Sequence, residues 1–146
     1  MDVQPYTITH RAACLSIFDS NTLHFFDSSE REEFATFLDG MTCPYVVVVN
    51  TDGEVVGCGG YYRDEARNRT GLAWGMVARP WHRQGVGRIL MDHRLAALKE
   101  MGATTVTVRT SQYSRGFFER CGFRVVRVEP TGFTPEIDLV ELVFNL

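Results

Sequence analysis

The sequence predicts a single mixed α/β domain, with strands that run in both orientations. Three patterns support this fold class. The first 40 residues have helical periodicity, the middle of the chain contains a β-hairpin, and the remainder alternates strand, helix and strand. No internal repeat or long linker divides the chain, so we expect one domain over residues 1–146.

The composition limits the classes of partner. Apolar residues make up 45% and charged residues 23% of the chain, as in ordinary globular proteins. The formal net charge of −3 argues against nucleic acid as the partner, since nucleic-acid binders usually carry a strong basic patch. No apolar run approaches the roughly 20 residues of a membrane span, so we expect no membrane partner.

The cysteines indicate the compartment. None of Cys14, Cys43, Cys58 and Cys121 stands at a metal-ligand spacing, and we expect no metal site. The segment 1–10 lacks the basic and then apolar order of a signal peptide. We therefore expect a cytoplasmic location and free thiols that pack as small apolar groups.

Two helices are predicted in the first 40 residues. Thr9 is a candidate cap for a helix over Arg11–Asp19. Ser28 or Ser29 is a candidate cap for the second helix, whose apolar stripe ends at Gly40.

The middle of the chain predicts three strands. Tyr45–Asn50 and Glu54–Tyr62 flank an Asp-Gly turn and form a hairpin. A polar connection over Asp64–Asn68 leads to a third strand over Thr70–Ala78.

The last part of the chain changes pattern. Gly85–Met101 has the periodicity of a long helix. The predicted elements that follow it are a strand over Thr104–Thr110, a short helix over Ser114–Arg120, and strands over Phe123–Val128 and Ile137–Phe144.

The segment Trp81–Arg88 joins a predicted strand to the start of the long helix. The N-terminus of a helix binds anions, because its N–H groups are free and its dipole is positive there. Gly85 and Gly87 leave the backbone open to a phosphate, and Arg83 and Arg88 add positive charge. The sequence therefore predicts a phosphate-binding turn, although it has neither the P-loop motif nor the dinucleotide-binding motif.

This segment resembles the signature [Q/R]-x-x-G-x-[G/A] of the GNAT superfamily of N-acetyltransferases. His82–Gly87 matches that signature except at its first position, where His82 stands. Phe118–Phe123 is similar to a second family feature, an aromatic residue followed by an acidic-basic-apolar-Gly-Phe run. Both features occur in the family's order with one strand between them, and the resemblance spans nearly the whole chain.

The resemblance implies a GNAT fold, with a mixed central sheet, helices on both faces and splayed middle strands. It implies acetyl-CoA as the co-substrate, direct attack by a primary amine in a ternary complex, and no metal. The residues that it places against coenzyme A are Met76, Val77, Ala78, Arg83, Gln84, Gly85, Val86, Gly87, Arg88, Ser111, Ser114, Phe117 and Phe118.

Acetyl transfer needs a route for the proton of the amine and a way to release the thiol. Asp64 and Glu65 follow the hairpin strand and are candidate bases that act through water. Phe118 stands where many family members have a tyrosine that protonates the thiolate. The role of acid then falls to Ser114, Ser111, Tyr113 or water, or is dispensed with.

The acceptor pocket is predicted from aromatic residues and one histidine, and core packing or surface exposure is the alternative for each of them. These residues are His24, Phe25, Phe26, Tyr62 and Trp74. The acceptor expected is the amine of a small molecule or peptide, and a homodimer is left open. The alternative function is a sensor or interaction domain that binds acetyl-CoA without catalysis.

Overall fold

The computed structural model describes residues 1–22 and 30–146. The strands are β1 (Asp2–Pro5), β2 (Tyr45–Val49), β3 (Val55–Asp64), β4 (Arg69–Val77), β5 (Thr105–Thr110), β6 (Arg124–Thr134) and β7 (Ile137–Asn145). The helices are α1 (Arg11–Asn21), α2 (Arg31–Gly40), α3 (Val86–Glu100) and α4 (Arg115–Arg120). The seven strands form one sheet in the order β1-β2-β3-β4-β5-β7-β6, which confirms the mixed α/β fold. Only β4 and β5 pair in parallel; every other neighbouring pair is antiparallel.

The start of the chain differs from the prediction of helix throughout the first 40 residues. Asp2–Pro5 forms β1 and pairs antiparallel with β2. Four residues are too few to show the alternation that distinguishes a strand. Thr9 does not cap α1, because it lies inside a 3-10 turn over Ile8–His10 that precedes the helix.

The second helix ends at Gly40, as predicted, but Gly40 is not the residue that adopts the left-handed conformation. The left-handed residue at its C-terminus is Met41, with φ of 43°, and its N–H bonds the carbonyl of Phe37. The predicted caps at Ser28 and Ser29 lie outside the described residues.

The helices cover the two faces of the sheet in different places. On one face, α1 and α2 pack over β2, β3 and β4, and their buried residues include Phe18 and Phe34. On the other face, α3 crosses the middle of the sheet. Its first half, with Leu90, packs on β2 and β3, and its second half, with Leu98, packs on β5 and β7. α4 lies on this second face as well, through Phe117 and Phe118.

All four cysteines are free, and three of them are buried among apolar residues. Among the described residues, no group of three or more His, Cys, Asp or Glu side chains is arranged to hold a metal ion. No helix within residues 1–22 and 30–146 combines the length and hydropathy required to cross a membrane.

Phe34 should be a main support of the face covered by α1 and α2. Its ring is 0% exposed and lies 5.7 Å from the ring of Phe18 and 5.1 Å from that of Trp74. We expect Phe34→Ala to lower the free energy of unfolding by about 3–5 kcal/mol, because it leaves a cavity. Phe133→Ala, at a ring that is 50% exposed, should change it by less than about 0.5 kcal/mol. Urea denaturation of both variants measures the difference, and equal losses would contradict this assignment.

Candidate active site

The sheet opens in its middle, between β4 and β5. The two strands share one bridge, Gly71 with Thr107, and then diverge. β4 continues for six residues beyond the bridge and β5 for three. We call the opening beyond this bridge the cleft. The backbone groups along it are not satisfied by a neighbouring strand, so a ligand with amide groups can bind there.

A β-bulge in β4 accompanies the cleft. Cys58 pairs with Met76 and Gly60 pairs with Ala73, so Gly59 alone stands opposite Trp74 and Gly75. The left-handed residue of the bulge is Trp74, with φ of 48°. A non-glycine residue in this conformation needs support from its surroundings.

Tyr45 provides support for the bulge from the face covered by α1 and α2. Its buried hydroxyl donates a hydrogen bond of 2.7 Å to the carbonyl oxygen of Trp74. Burial raises the pKa of Tyr45, so the hydroxyl keeps the proton that it donates. The indole of Trp74 packs beside Phe34 and Phe37, which is the core role left open for it by the sequence.

The end of β4 is fixed by α1 and by the turn that follows. The side chain of Asn21 donates to the carbonyl oxygen of Val77 at 2.8 Å, and His82 Nε2 donates to the same oxygen at 2.9 Å. The N–H of Ala78 bonds the carbonyl of Val56 at 2.8 Å. His82, the departure from the family signature, therefore ties the turn to the strand.

The turn between β4 and α3 presents an open helix N-terminus. Arg83 and Gly85 both have positive φ, 62° and 83°. Alternation of left- and right-handed residues turns successive N–H groups toward one side, which makes a concavity suited to an anion. A side chain at Gly85 would meet nothing within 4 Å, whereas the side chain of Val86 is buried in the core. Val86 can thus offer only its backbone.

Gly87 has a packing role in addition to the one the sequence suggested. A Cβ at Gly87 would lie 2.9 Å from Cε1 of Phe117. The absence of a side chain at Gly87 therefore lets α4 approach α3 closely, in addition to leaving room for a phosphate.

The charged and amide side chains of the turn differ in whether they bond other groups of the protein. Arg83 is exposed and projects from the turn. Arg88 bonds Asp92 at 3.1 Å and the carbonyl of Arg120 at 3.4 Å, and Gln84 donates to the carbonyl of Pro80. Arg83 is thus more available to a ligand than Arg88.

The end of β5 lies on the other side of the cleft. Ser111 is buried, and its hydroxyl accepts the N–H of Tyr113 at 3.2 Å. Ser114 precedes α4 as its N-cap residue. Phe118 packs edge-on against Phe123, with ring centroids 5.4 Å apart.

The candidate bases lie far from these features. Asp64 pairs with Arg69 at the β3–β4 turn, where it forms an ion pair of 3.8 Å with Arg67, and Glu65 lies in that turn. Gly75 lies six positions beyond Arg69 along an extended strand, which is roughly 20 Å at ~3.3 Å per residue. The structure does not bring Asp64 or Glu65 together with the bulge.

Two of the five predicted pocket residues, Tyr62 and Trp74, lie within the part of the chain that the structure describes. Tyr62 is 39% exposed and its ring lies over Gly71, at the bridge where the cleft begins. It faces away from α3, whereas Tyr61 packs with the core beneath α3. His24, Phe25 and Phe26 lie outside the described residues.

Sequence reasoning missed Asn21, Tyr45 and Arg94. Asn21 lies in the polar stretch Asp19–Thr22 and Tyr45 begins an apolar run, so nothing local distinguishes them from surface or core residues. Arg94 did carry a signal, since it interrupts the apolar stripe of Leu90 and Leu98 at the spacing of one helical turn.

Comparisons with known proteins agree on one family. The model of the acetyltransferase (GNAT) family matches residues 12–123. No curated protein sequence shows significant similarity to the chain.

Solved structures share the fold at low sequence identity. A GCN5-related N-acetyltransferase from Kribbella flavida has a TM-score of 0.83 at 19% identity, over 99% of this chain and 97% of that chain. YncA from Salmonella typhimurium, with its cofactor acetyl-CoA, has a TM-score of 0.80 at 17% identity, over 100% and 94%. An aminoglycoside 6'-N-acetyltransferase complexed with coenzyme A has a TM-score of 0.78 at 14% identity, over 99% and 97%.

Gly85 should be required by the backbone of the turn even without a ligand. An L-residue held at the φ of 83° found there costs about 1–2 kcal/mol. We therefore expect Gly85→Ala to lower the free energy of unfolding by that amount. Gly40→Ala is the matched control, because Gly40 ends a helix and a Cβ there meets nothing within 4 Å. Thermal denaturation of both variants tests this, and a Gly85→Ala variant as stable as the wild type would refute the described turn.

Proposed function

Because the chain belongs to the GNAT family of acetyltransferases, we propose that it transfers an acetyl group from acetyl-CoA to a primary amine. One observation carries the proposal. The cleft between β4 and β5 lies next to the open N-terminus of α3. A ligand with a pyrophosphate at one position and an extended amide-bearing arm at another matches both features.

The pyrophosphate is assigned to the backbone of residues 83–88 and to the exposed side chain of Arg83. A helix of 15 residues supplies free N–H groups and the positive end of its dipole at this point. Val86 and Gly87 contribute N–H groups only, since the Val86 side chain is buried and Gly87 packs against Phe117.

The pantetheine arm is assigned to the end of β4. The N–H of Ala78 points to β3, where it bonds Val56. Successive N–H groups of a strand point to opposite edges, so that of Val77 points into the cleft. By the same alternation the N–H groups of Met76 and Ala78 both point to β3, so Val77 is the residue of the three assigned to bind the arm through its N–H. Ser111, Ser114, Phe117 and Phe118 are assigned to the opposite wall.

The reaction needs no covalent enzyme intermediate, because the thioester is already activated. The nitrogen of the neutral amine attacks the thioester carbonyl carbon, a C–N bond forms and the C–S bond breaks. The electron pair of the broken bond stays on sulfur, and the proton of the amine passes to solvent. Water takes this proton in the proposed mechanism, because Asp64 and Glu65 stand far from the bulge.

The acceptor is proposed to approach from the face that α3 and α4 do not cover. Tyr62 and Thr107 lie on this face at the mouth of the cleft. Beyond them, Glu141 bonds Arg109 at 3.1 Å and Arg127 at 3.4 Å. These arginines hold the pKa of Glu141 below its ordinary value, so it is a poor base and serves as part of the acceptor surface.

A second candidate function is binding of acetyl-CoA without catalysis. Phe118 carries no proton to donate, and the candidate carboxylates are remote from the bulge. Release of free thiol from acetyl-CoA in the presence of a panel of primary amines distinguishes the two functions. Binding without thiol release from any amine would favour the sensor.

Acetyl-CoA should raise the melting temperature more than ATP or NAD at equal concentration, since a ligand that binds only the folded state stabilises it. Arg83→Gln should reduce this shift by weakening the contact with the pyrophosphate. Arg124→Gln is the matched control, because Arg124 is exposed on β6 at the far edge of the sheet. A larger shift with ATP would overturn the assignment of the turn.

Phe118→Tyr should leave the turnover rate nearly unchanged if the sulfur departs as thiolate. Steady-state kinetics at saturating acetyl-CoA, with the best amine of the panel, measures this. A large gain in rate would show that protonation limits the reaction. A large loss in a folded variant would indicate that the new hydroxyl is buried without a partner, at a cost of about 1–3 kcal/mol.

A further inference from the structure

A charged residue lies in the core directly behind the bulge. Arg94 belongs to α3 and is 3% exposed. Its neighbours one turn away on either side, Leu90 and Leu98, are buried apolar residues. Burying a guanidinium is unfavourable unless the group is paired with an opposite charge and hydrogen-bonded.

The partners of Arg94 do not neutralise it. Its Nε and Nη1 lie 3.4 Å from the carbonyl oxygens of Leu90 and Gly60. No carboxylate in residues 1–22 or 30–146 forms an ion pair with it. The ionisable groups close enough to affect its pKa are Tyr45 from β2 and Cys58 from β3, both on the other face of the sheet, and Cys121 from the end of α4. Phenols and thiols are ordinarily neutral at pH 7, so the site holds an uncompensated cation.

The guanidinium keeps its charge despite its burial. Desolvation lowers the pKa of Arg94 to about 10, which is still well above neutrality. The site is therefore positive under physiological conditions.

Two glycines bring this charge close to the cleft. A Cβ at Gly75 would lie 2.8 Å from Nη1 of Arg94, and one at Gly59 would lie 3.1 Å from it. These are the facing residues of the bulge. Gly75 is itself exposed, so a single thickness of backbone separates the guanidinium from the open side of β4.

We propose that Arg94 is a positioning residue for acyl transfer, whose fixed positive charge behind the bulge favours the thiolate form of coenzyme A in the cleft. This inference rests on the proposed function. When the C–S bond breaks, its electron pair remains on sulfur, and the aromatic residues of α4, Phe117 and Phe118, have no proton to give. A cation that is already in place, in surroundings that exclude water, stabilises that negative charge without reorganisation.

The pKa of the thiol of bound coenzyme A tests the inference directly, through the ultraviolet absorbance of the thiolate. In the wild type we expect this pKa to be lowered by about one unit or more relative to free coenzyme A. Arg94→Met should abolish most of the lowering, and Arg94→Lys should retain part of it. Lys99→Met is the matched control, since it removes an exposed charge from the same helix and should change nothing.

Melting temperatures separate this role from a structural one. Replacing a buried charge by an apolar side chain of similar length is often neutral or stabilising, so we expect Arg94→Met to melt no lower than the wild type. A lower melting temperature together with an unchanged thiol pKa would overturn the inference.

The wild-type measurement alone is decisive if the variants do not fold. Bound coenzyme A with the thiol pKa of the free molecule would overturn the role of Arg94 and leave the proposed function intact. Failure of coenzyme A and acetyl-CoA to bind at all would instead overturn the proposed function.

Discussion

The bulge at Trp74 and Gly75 is the constraint on which the site depends. Two residues of β4 occupy the space opposite Gly59, so the strand bends and separates from β5 after a single bridge. The conformation is unfavourable for Trp74 by itself, and it is held from both faces of the sheet. The hydroxyl of Tyr45 binds its carbonyl on one face, and Arg94 lies beneath the neighbouring glycine on the other.

The helices turn this local distortion into a stable opening. α3 packs with Leu90 on one half of the sheet and with Leu98 on the other, so it sets how far the halves stand apart. Asn21, at the end of α1, fixes the end of β4 through the carbonyl of Val77. Backbone positions on both sides of the cleft are therefore determined by core packing rather than by mobile loops.

The sequence predicted those features that depend on local patterns. The turn at Gly85, the hairpin and the long helix follow from residue preference and periodicity. The position of the bulge, the contact of Gly87 with Phe117 and the burial of Arg94 depend on residues distant in the chain. Such contacts leave little local signal, and a glycine beside an anion site is indistinguishable in sequence from one that admits a neighbouring helix.

The single bridge between Gly71 and Thr107 gives this sheet four free edges where an unbroken sheet has two. Exposed edges invite pairing with other chains, and the outer edge at β6 carries Pro130 and the charges of Arg124 and Arg127, which discourage such pairing. The inner edges need no such residues, because each faces the other across the cleft and α3 spans both. The cleft thereby keeps unpaired backbone N–H and C=O groups available to a narrow ligand, while its position inside the sheet prevents these groups from pairing with other chains.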